Sequence, residues 1–269
     1  MSKDHGPTVS LLYHDVVLGE GEGFDPSGFY VAGSELYRLD IVRFRDHLKA
    51  VRDSGQTVTK VTELLSLPKD ALSVTFTFDD GGVSAHTVIA AMLEEYGWRG
   101  HFFISTDFIG APGFLSAEQI SDLHARGHLI GSHSCSHPEF MSKLDPADLQ
   151  REWSHSCAVL AEVLGERVLT ASVPNGYSSP EVVAAAARAG IEWLFTSDPT
   201  PSSQLTGSCR VLGRYSVQVN TSSRAVADLI SDRSLGRPYQ AALWGAKKFV
   251  KSVAGESYLA LRAALLRGK

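Results

Sequence analysis

The chain has 269 residues, 43% of them hydrophobic, with 25 Lys+Arg against 30 Asp+Glu for a formal net charge of −5. That length carries one large α/β unit or two small ones with ample core, and the acid excess argues against nucleic acid and anionic membrane surfaces as partners. Three cysteines without a CxxC exclude a disulfide scaffold or cysteine-built zinc site, and no apolar run approaches the roughly 18 residues of a bilayer span.

The N-terminal "MSKDHGPTVSLLYHD" has no long apolar region after its lysine, so no signal peptide is read and the expected location is cytoplasmic. Strand-like runs follow at 8–14, 73–79, 100–105, 128–133, 168–173, 193–197 and 209–217. Between them the sequence carries helix start and stop signals. Ser116 to Gln119 has capping-box form, with Gly127 at the stop. Asp145-Pro146 opens a helix running to about Leu164, and Ser179-Pro180 opens another that closes at Gly190. The stretches 18–28 and 199–208 read as surface loops, and 241–269 as a basic amphipathic helical tail on the outside of the fold, with Tyr258, Leu261, Leu265 and Leu266 on one side. Strands alternating with helices predict a parallel α/β protein, barrel or doubly wound, with no convincing domain boundary.

The run "SVTFTFDDGG" (73–82) delivers two adjacent carboxylates, Asp79 and Asp80, to the end of a strand. Adjacent acids repel and are costly near a core unless something pairs with them. One strand-unit later, "GHLIGSHSCSHPEF" places His133 and His137 four residues apart where an apolar strand meets a polar loop. Two such histidines can share one metal ion, and with a carboxylate they leave coordination positions open, as a catalytic site does. If Asp80 joins His133 and His137 at a cation, Asp79 is free to act as a general base beside it, an arrangement suited to hydrolysing an amide or ester.

"TFTFDDG" (75–81) and "HSCSHP" (133–138), just over 50 residues apart, resemble the first two signature motifs of the polysaccharide deacetylase family, the NodB-homology carbohydrate esterases. "HFFIST" (101–106) and "LLYHDV" (11–16) fit as well, so the resemblance covers roughly residues 8–217. It implies a distorted (β/α) barrel of about seven parallel strands spanning 1–269, with 240–269 as a helical tail. It also implies a divalent metal, usually zinc with cobalt, nickel or manganese as alternatives, held by Asp80, His133 and His137, with Asp79 as base. The implied activity is removal of an N-acyl group, N-acetyl first, from a sugar or glycoconjugate precursor. Alternatives are another C–N or ester bond (formyl, cyclic amide, O-acetyl) at the same site, or a carbohydrate-binding pseudoenzyme.

The rest departs from the family pattern. In "SVPNGYS" (172–178), Ser172 stands where the family's third-motif arginine would be and Asn175 where its tyrosine would be, leaving the Asn175 backbone N–H as the oxyanion donor. Asp198 in "FTSDPT" matches the fourth-motif aspartate. The strand "RVLGRYSVQV" lacks the fifth-motif histidine and offers Arg214, which cannot serve as an acid and is read as pairing Asp198 or binding an anionic substrate group, with a structural salt bridge the competing reading. His14 is read as lining the same mouth, and Tyr177 and Trp193 as candidate sugar walls, with core burial the competing reading for Trp193. Cys135 is read as packing.

Overall fold

The computed structural model describes residues 5–18 and 34–246. In chain order these form β1 (Thr8–Tyr13), β2 (Asp15–Val17), β3 (Arg38–Asp40), α1 (Ile41–Ser54), β4 (Thr57–Val58), β5 (Ser73–Phe78), α2 (Ala90–Glu94), β6 (His101–Ile104) and α3 (Ala117–Ala125). There follow β7 (Leu129–Ser132), α4 (Pro146–Leu164), β8 (Thr170–Ser172), α5 (Pro180–Arg188), β9 (Trp193–Phe195), β10 (Ser203–Thr206), β11 (Cys209–Leu212), β12 (Tyr215–Ser216) and α6 (Ser223–Leu229). A helical segment at 236–246 closes the described chain.

The main sheet runs β10-β11-β9-β8-β7-β6-β5-β1-β12, and every pairing from β11 through to β12 is parallel. β5 is buried along its whole length, as a strand covered on both faces must be. Its two-residue period sends Val74, Phe76 and Phe78 into the main apolar core and leaves Thr75 and Thr77 on the opposite, inner face.

Closure of the sheet rests on two residues. β11 and β12 lie toward opposite ends of the strand order, yet only Gly213 and Arg214 separate them in sequence. Three peptide units reach at most about 11 Å, so the two edges must curl to meet. The result is a distorted (β/α) barrel. A side chain at Gly213 would strike the Asp198 carbonyl oxygen, so the crossing is open only to glycine.

The expected run at 209–217 is therefore two strands serving different edges. The expected loop at 199–208 also differs: Gly207, at φ 61°, turns the chain so that β10 pairs antiparallel with β11. Its pattern escapes a hydrophobic reading because Gln204, Leu205 and Thr206 on this edge strand are exposed. The start signals hold: Ser116 caps α3 in a capping box, and Asp145 and Ser179 cap α4 and α5 ahead of their prolines. Most of the 18–28 stretch and of the 241–269 tail, with Tyr258, Leu261, Leu265 and Leu266, lies outside the described residues.

Candidate active site

The site sits at the C-terminal ends of the strands, where barrel enzymes place theirs. Asp79 follows β5 on the parity of Thr75 and Thr77, so it points into the barrel. Alternation alone would send Asp80 to the opposite face. A left-handed backbone at Asp80 (φ 76°) ends the strand and turns its carboxylate toward the same mouth. The other non-glycine residues with positive φ among those described are Ser134, His137 and Asn175, all in the site loops. Such conformations cost about 1 kcal/mol each and persist where surrounding contacts over-determine them.

For the loop carrying the histidines, those contacts come from Glu152, a buried residue of α4. Its carboxylate accepts hydrogen bonds from the Cys135 N–H (2.9 Å), the Ser136 N–H (3.0 Å) and the Ser136 hydroxyl (2.8 Å). Ser134 Oγ accepts the His137 N–H, and Ser132 Oγ accepts the Ser134 N–H. Cys135 is buried, its thiol pushed up to about 11 by desolvation, consistent with a packing role.

His133 Nε2 and His137 Nε2 each lie 3.4 Å from Asp80 Oδ1, and the three ligand atoms fall within 4.8 Å of one another. Ligands about 2.1 Å from a tetrahedral ion are separated by about 3.4 Å, so this triad fits a divalent cation such as zinc. Burial raises the Asp80 carboxyl, but the His133 hydrogen bond and the positive field of His14 and His137 outweigh it and hold it well below the usual carboxylate range. His133 Nδ1 contacts the Ser172 carbonyl (3.0 Å) and hydroxyl (2.6 Å), which orients the ring with Nε2 toward Asp80.

Asp79 is held from two sides. Arg214 Nη1 donates to Oδ1 at 2.7 Å and Nη2 to Oδ2 at 2.8 Å, while the Ser172 hydroxyl donates to Oδ1 at 3.0 Å. Burial raises this carboxyl; the Arg214 charge and then His133 overcome it and hold it below its ordinary value. The expectation that Arg214 pairs with Asp198 or faces substrate is therefore corrected. The residue is 1% exposed, and its guanidinium also donates to the Thr196 carbonyl. Asp198 instead accepts the Trp244 indole N–H at 2.6 Å.

Tyr13 pairs with Phe78 across β1 and β5, and the Asp79 N–H donates to the Tyr13 carbonyl, so His14 lies beside Asp79. Its ring lies tilted by 36° against Tyr37, centroids 4.4 Å apart, and its buried Nδ1 has no hydrogen-bond partner among the described residues. Burial lowers its pKa, opposed by the charges of Asp80 and Asp79. Tyr177 stacks on Trp244 (5.1 Å, 15°) with Phe140 nearby at 6.4 Å, while Asn175 reaches the Glu139 carbonyl through its side-chain amide. Trp193 is core: it begins β9, 7% exposed, at the far end of the barrel.

A family model for polysaccharide deacetylases matches residues 67–194, the stretch that carries Asp79, the triangle of Asp80, His133 and His137, and Ser172. That stretch, just under half of the chain, resembles the polysaccharide deacetylase family. Over 202 residues the chain is 27% identical to "Putative polysaccharide deacetylase YxkH" of Bacillus subtilis (strain 168), covering 73% of this chain and 67% of that one. Its fold matches the Streptococcus pyogenes deacetylase PplD, solved in complex with acetate (TM-score 0.71, 18% identity, 84% of this chain and 99% of that one). It also matches IcaB from Ammonifex degensii (TM-score 0.70, 20% identity, 84% and 98%).

At this candidate site, the Glu152 and Trp244 contacts and the Arg214–Asp79 pair are features that motif reading missed. Glu152 had a signal: it interrupts the apolar stripe of α4 formed by Leu149, Trp153, Cys157 and Leu160. An acid at a core-facing helical position demands a partner.

Proposed function

We propose that the chain is a divalent-metal hydrolase that removes an N-acetyl group from a sugar unit of a carbohydrate or glycoconjugate precursor. The observation that carries this is the division of labour between adjacent carboxylates, Asp79 clamped by Arg214 and Asp80 turned into the two-histidine triangle. Asp80, His133 and His137 would hold the metal, zinc in this reading. When bound, it would acidify a water and polarise the acyl oxygen. Asp79 takes the proton of the attacking water, which the bound metal would already have made more acidic. The Asn175 N–H supports the developing oxyanion, and His14 gives a proton to the departing nitrogen in place of the absent fifth-motif histidine. Tyr177, with Trp244 stacked on it, offers an aromatic wall to a sugar ring, and Asp198 is positioned beside them.

The Arg214 clamp weakens the case for a pseudoenzyme, because the proposed base has its cationic partner from the crossing between β11 and β12. Acetate release from N-acetylated oligosaccharides tests the reading. Asp79→Asn is expected to retain metal and lose turnover by roughly a thousandfold. Full turnover by that variant with metal bound would remove Asp79 as base. Release of formate, or release from O-acetyl esters with none from N-acetyl substrates, would move the activity to another bond.

A further inference from the structure

The helical segment 236–246, which follows α6, reaches the mouth of the barrel through Trp244. The Asp228 carboxylate accepts the Leu235 N–H at 3.2 Å and the Gly236 N–H at 2.6 Å, which fixes where the segment starts. Gln240 Nε2 donates to the Ser216 carbonyl of β12 at 3.3 Å. One helical turn later, Trp244 reaches the loops that follow β8 and β9. Those two loops touch: the Ser197 N–H donates to the Gly176 carbonyl at 3.3 Å, and a side chain at Gly176 would strike Ser197. Tyr177 and Asp198, the next residue in each loop, therefore stand side by side, and Trp244 engages both. Its indole lies nearly parallel to the Tyr177 ring (15°, 5.1 Å), and its N–H meets Asp198 Oδ1 at 2.6 Å. The segment thus covers the sector of the rim between β12 and β8, where the Gly213-Arg214 crossing closes the barrel.

We propose that Trp244 ends the substrate groove and is a specificity-determining residue. The sugar unit that gives up its acyl group is then the terminal one on the β8–β9 side, so the substrate is a chain end or a single-unit glycoconjugate and not the interior of a polymer. The proposal rests on the hydrolase reading above. A tyrosine face beside a carboxylate suits a pyranose, whose C–H face packs on the aromatic ring while its hydroxyls donate to the carboxylate. Here the indole covers one Tyr177 face and takes an Asp198 oxygen, so a second ring continuing past this point must displace Trp244. Displacement gives up the stacked contact and breaks the hydrogen bond between two half-buried groups. Such an obstacle discriminates by rejecting the longer substrate, not by gripping the shorter one. The reacting ring still meets the near edge of the Tyr177–Trp244 wall.

Chains of N-acetylhexosamine from dimer to hexamer, labelled at the reducing end, test it with the full chain and added zinc. Mass spectrometry of the products reads which unit has lost its acetyl group. Wild type is expected to release a single acetate from the hexamer, at a terminal unit. Trp244→Ala should release acetate from interior units as well. By titration calorimetry its hexamer-to-dimer affinity ratio should rise about tenfold over that of wild type. Trp244→Phe keeps a ring over Tyr177 and should hold the terminal pattern. The proposal is overturned if wild type deacetylates interior units, a result that needs no variant to fold. It is equally overturned if Trp244→Ala, with an unchanged far-ultraviolet spectrum, keeps both the terminal pattern and the wild-type affinity ratio. A ratio that rises in Trp244→Ala, with no acetate released from any chain by either protein, would retire the proposed hydrolysis and keep the wall.

Discussion

Arg214 and Asp79 meet fork to fork inside the barrel, at 2.7 and 2.8 Å, although 135 residues separate them in sequence. Where the family's third motif would place the tethering arginine, this chain has Ser172, whose hydroxyl completes the same carboxylate at 3.0 Å. The cation paired with Asp79 instead comes from the crossing between β11 and β12. The guanidinium packs over Phe103 and Phe195, whose ring centroids lie 5.8 and 6.0 Å away, so its positive charge is not squandered on solvent.

Removing one partner of this pair strands the other charge in the interior. Arg214→Met should cost about 3–5 kcal/mol of stability, and adding Asp79→Asn should restore much of it. Denaturant unfolding of the four proteins in a double-mutant cycle measures the coupling; additive losses would mean that the pair contributes nothing of its own.

Ser172→Ala keeps all three proposed ligands and the carbonyl that orients His133, but deletes the hydroxyl between His133 and Asp79. Zinc affinity, followed by competition with a chromogenic chelator, should fall about tenfold while the far-ultraviolet spectrum is unchanged. An affinity equal to wild type would reduce Ser172 to a packing residue.

His14→Gln separates proton donation from the rest of the chemistry. Turnover of an N-acetyl amide should drop about a hundredfold. An aryl acetate, whose phenolate leaves without a proton, should lose less than about tenfold. Equal losses on both substrates would place the role of His14 elsewhere.

Two histidines at the opposite end of the barrel set an acid limit on stability. His101 Nε2 accepts the Val61 N–H and its Nδ1 meets the Phe76 carbonyl; His128 Nδ1 accepts the Gly100 N–H. Each ring is neutral in these contacts, and burial lowers both to about 4 from the ordinary 6.5. Below pH 6.5 the unfolded chain takes up these protons before the folded one does. Stability is therefore untouched above pH 6.5 and declines as pH falls toward 4, by up to about 3 kcal/mol from His101. Melting temperatures between pH 7 and 4.5 should show this decline, and His101→Gln should flatten it; an identical slope in the variant would refute the assignment.

Much of this molecule is readable before folding because it is written locally. The apolar runs ending in Asp79-Asp80 and His133 are short-range patterns, as are the Ser116, Asp145 and Ser179 caps. What escapes is what the curled sheet creates. No local pattern shows that Arg214 faces Asp79, or that Trp244, deep in a basic tail, donates to Asp198. β12 is two residues long and β10 is an exposed edge strand, so neither carries a hydrophobic signature. Glu152 could have been found, since it is an acid set among the core-facing Leu149, Trp153, Cys157 and Leu160 of its helix.

The Gly213-Arg214 crossing also bears on how the protein matures. A contact spanning 135 residues forms late, after the intervening loop entropy has been spent. A chain still emerging from the ribosome carries both motif histidines and both aspartates, but no charge partner for Asp79. Competence for chemistry thus arrives in the same folding event that seals the barrel, and partly folded forms stay silent.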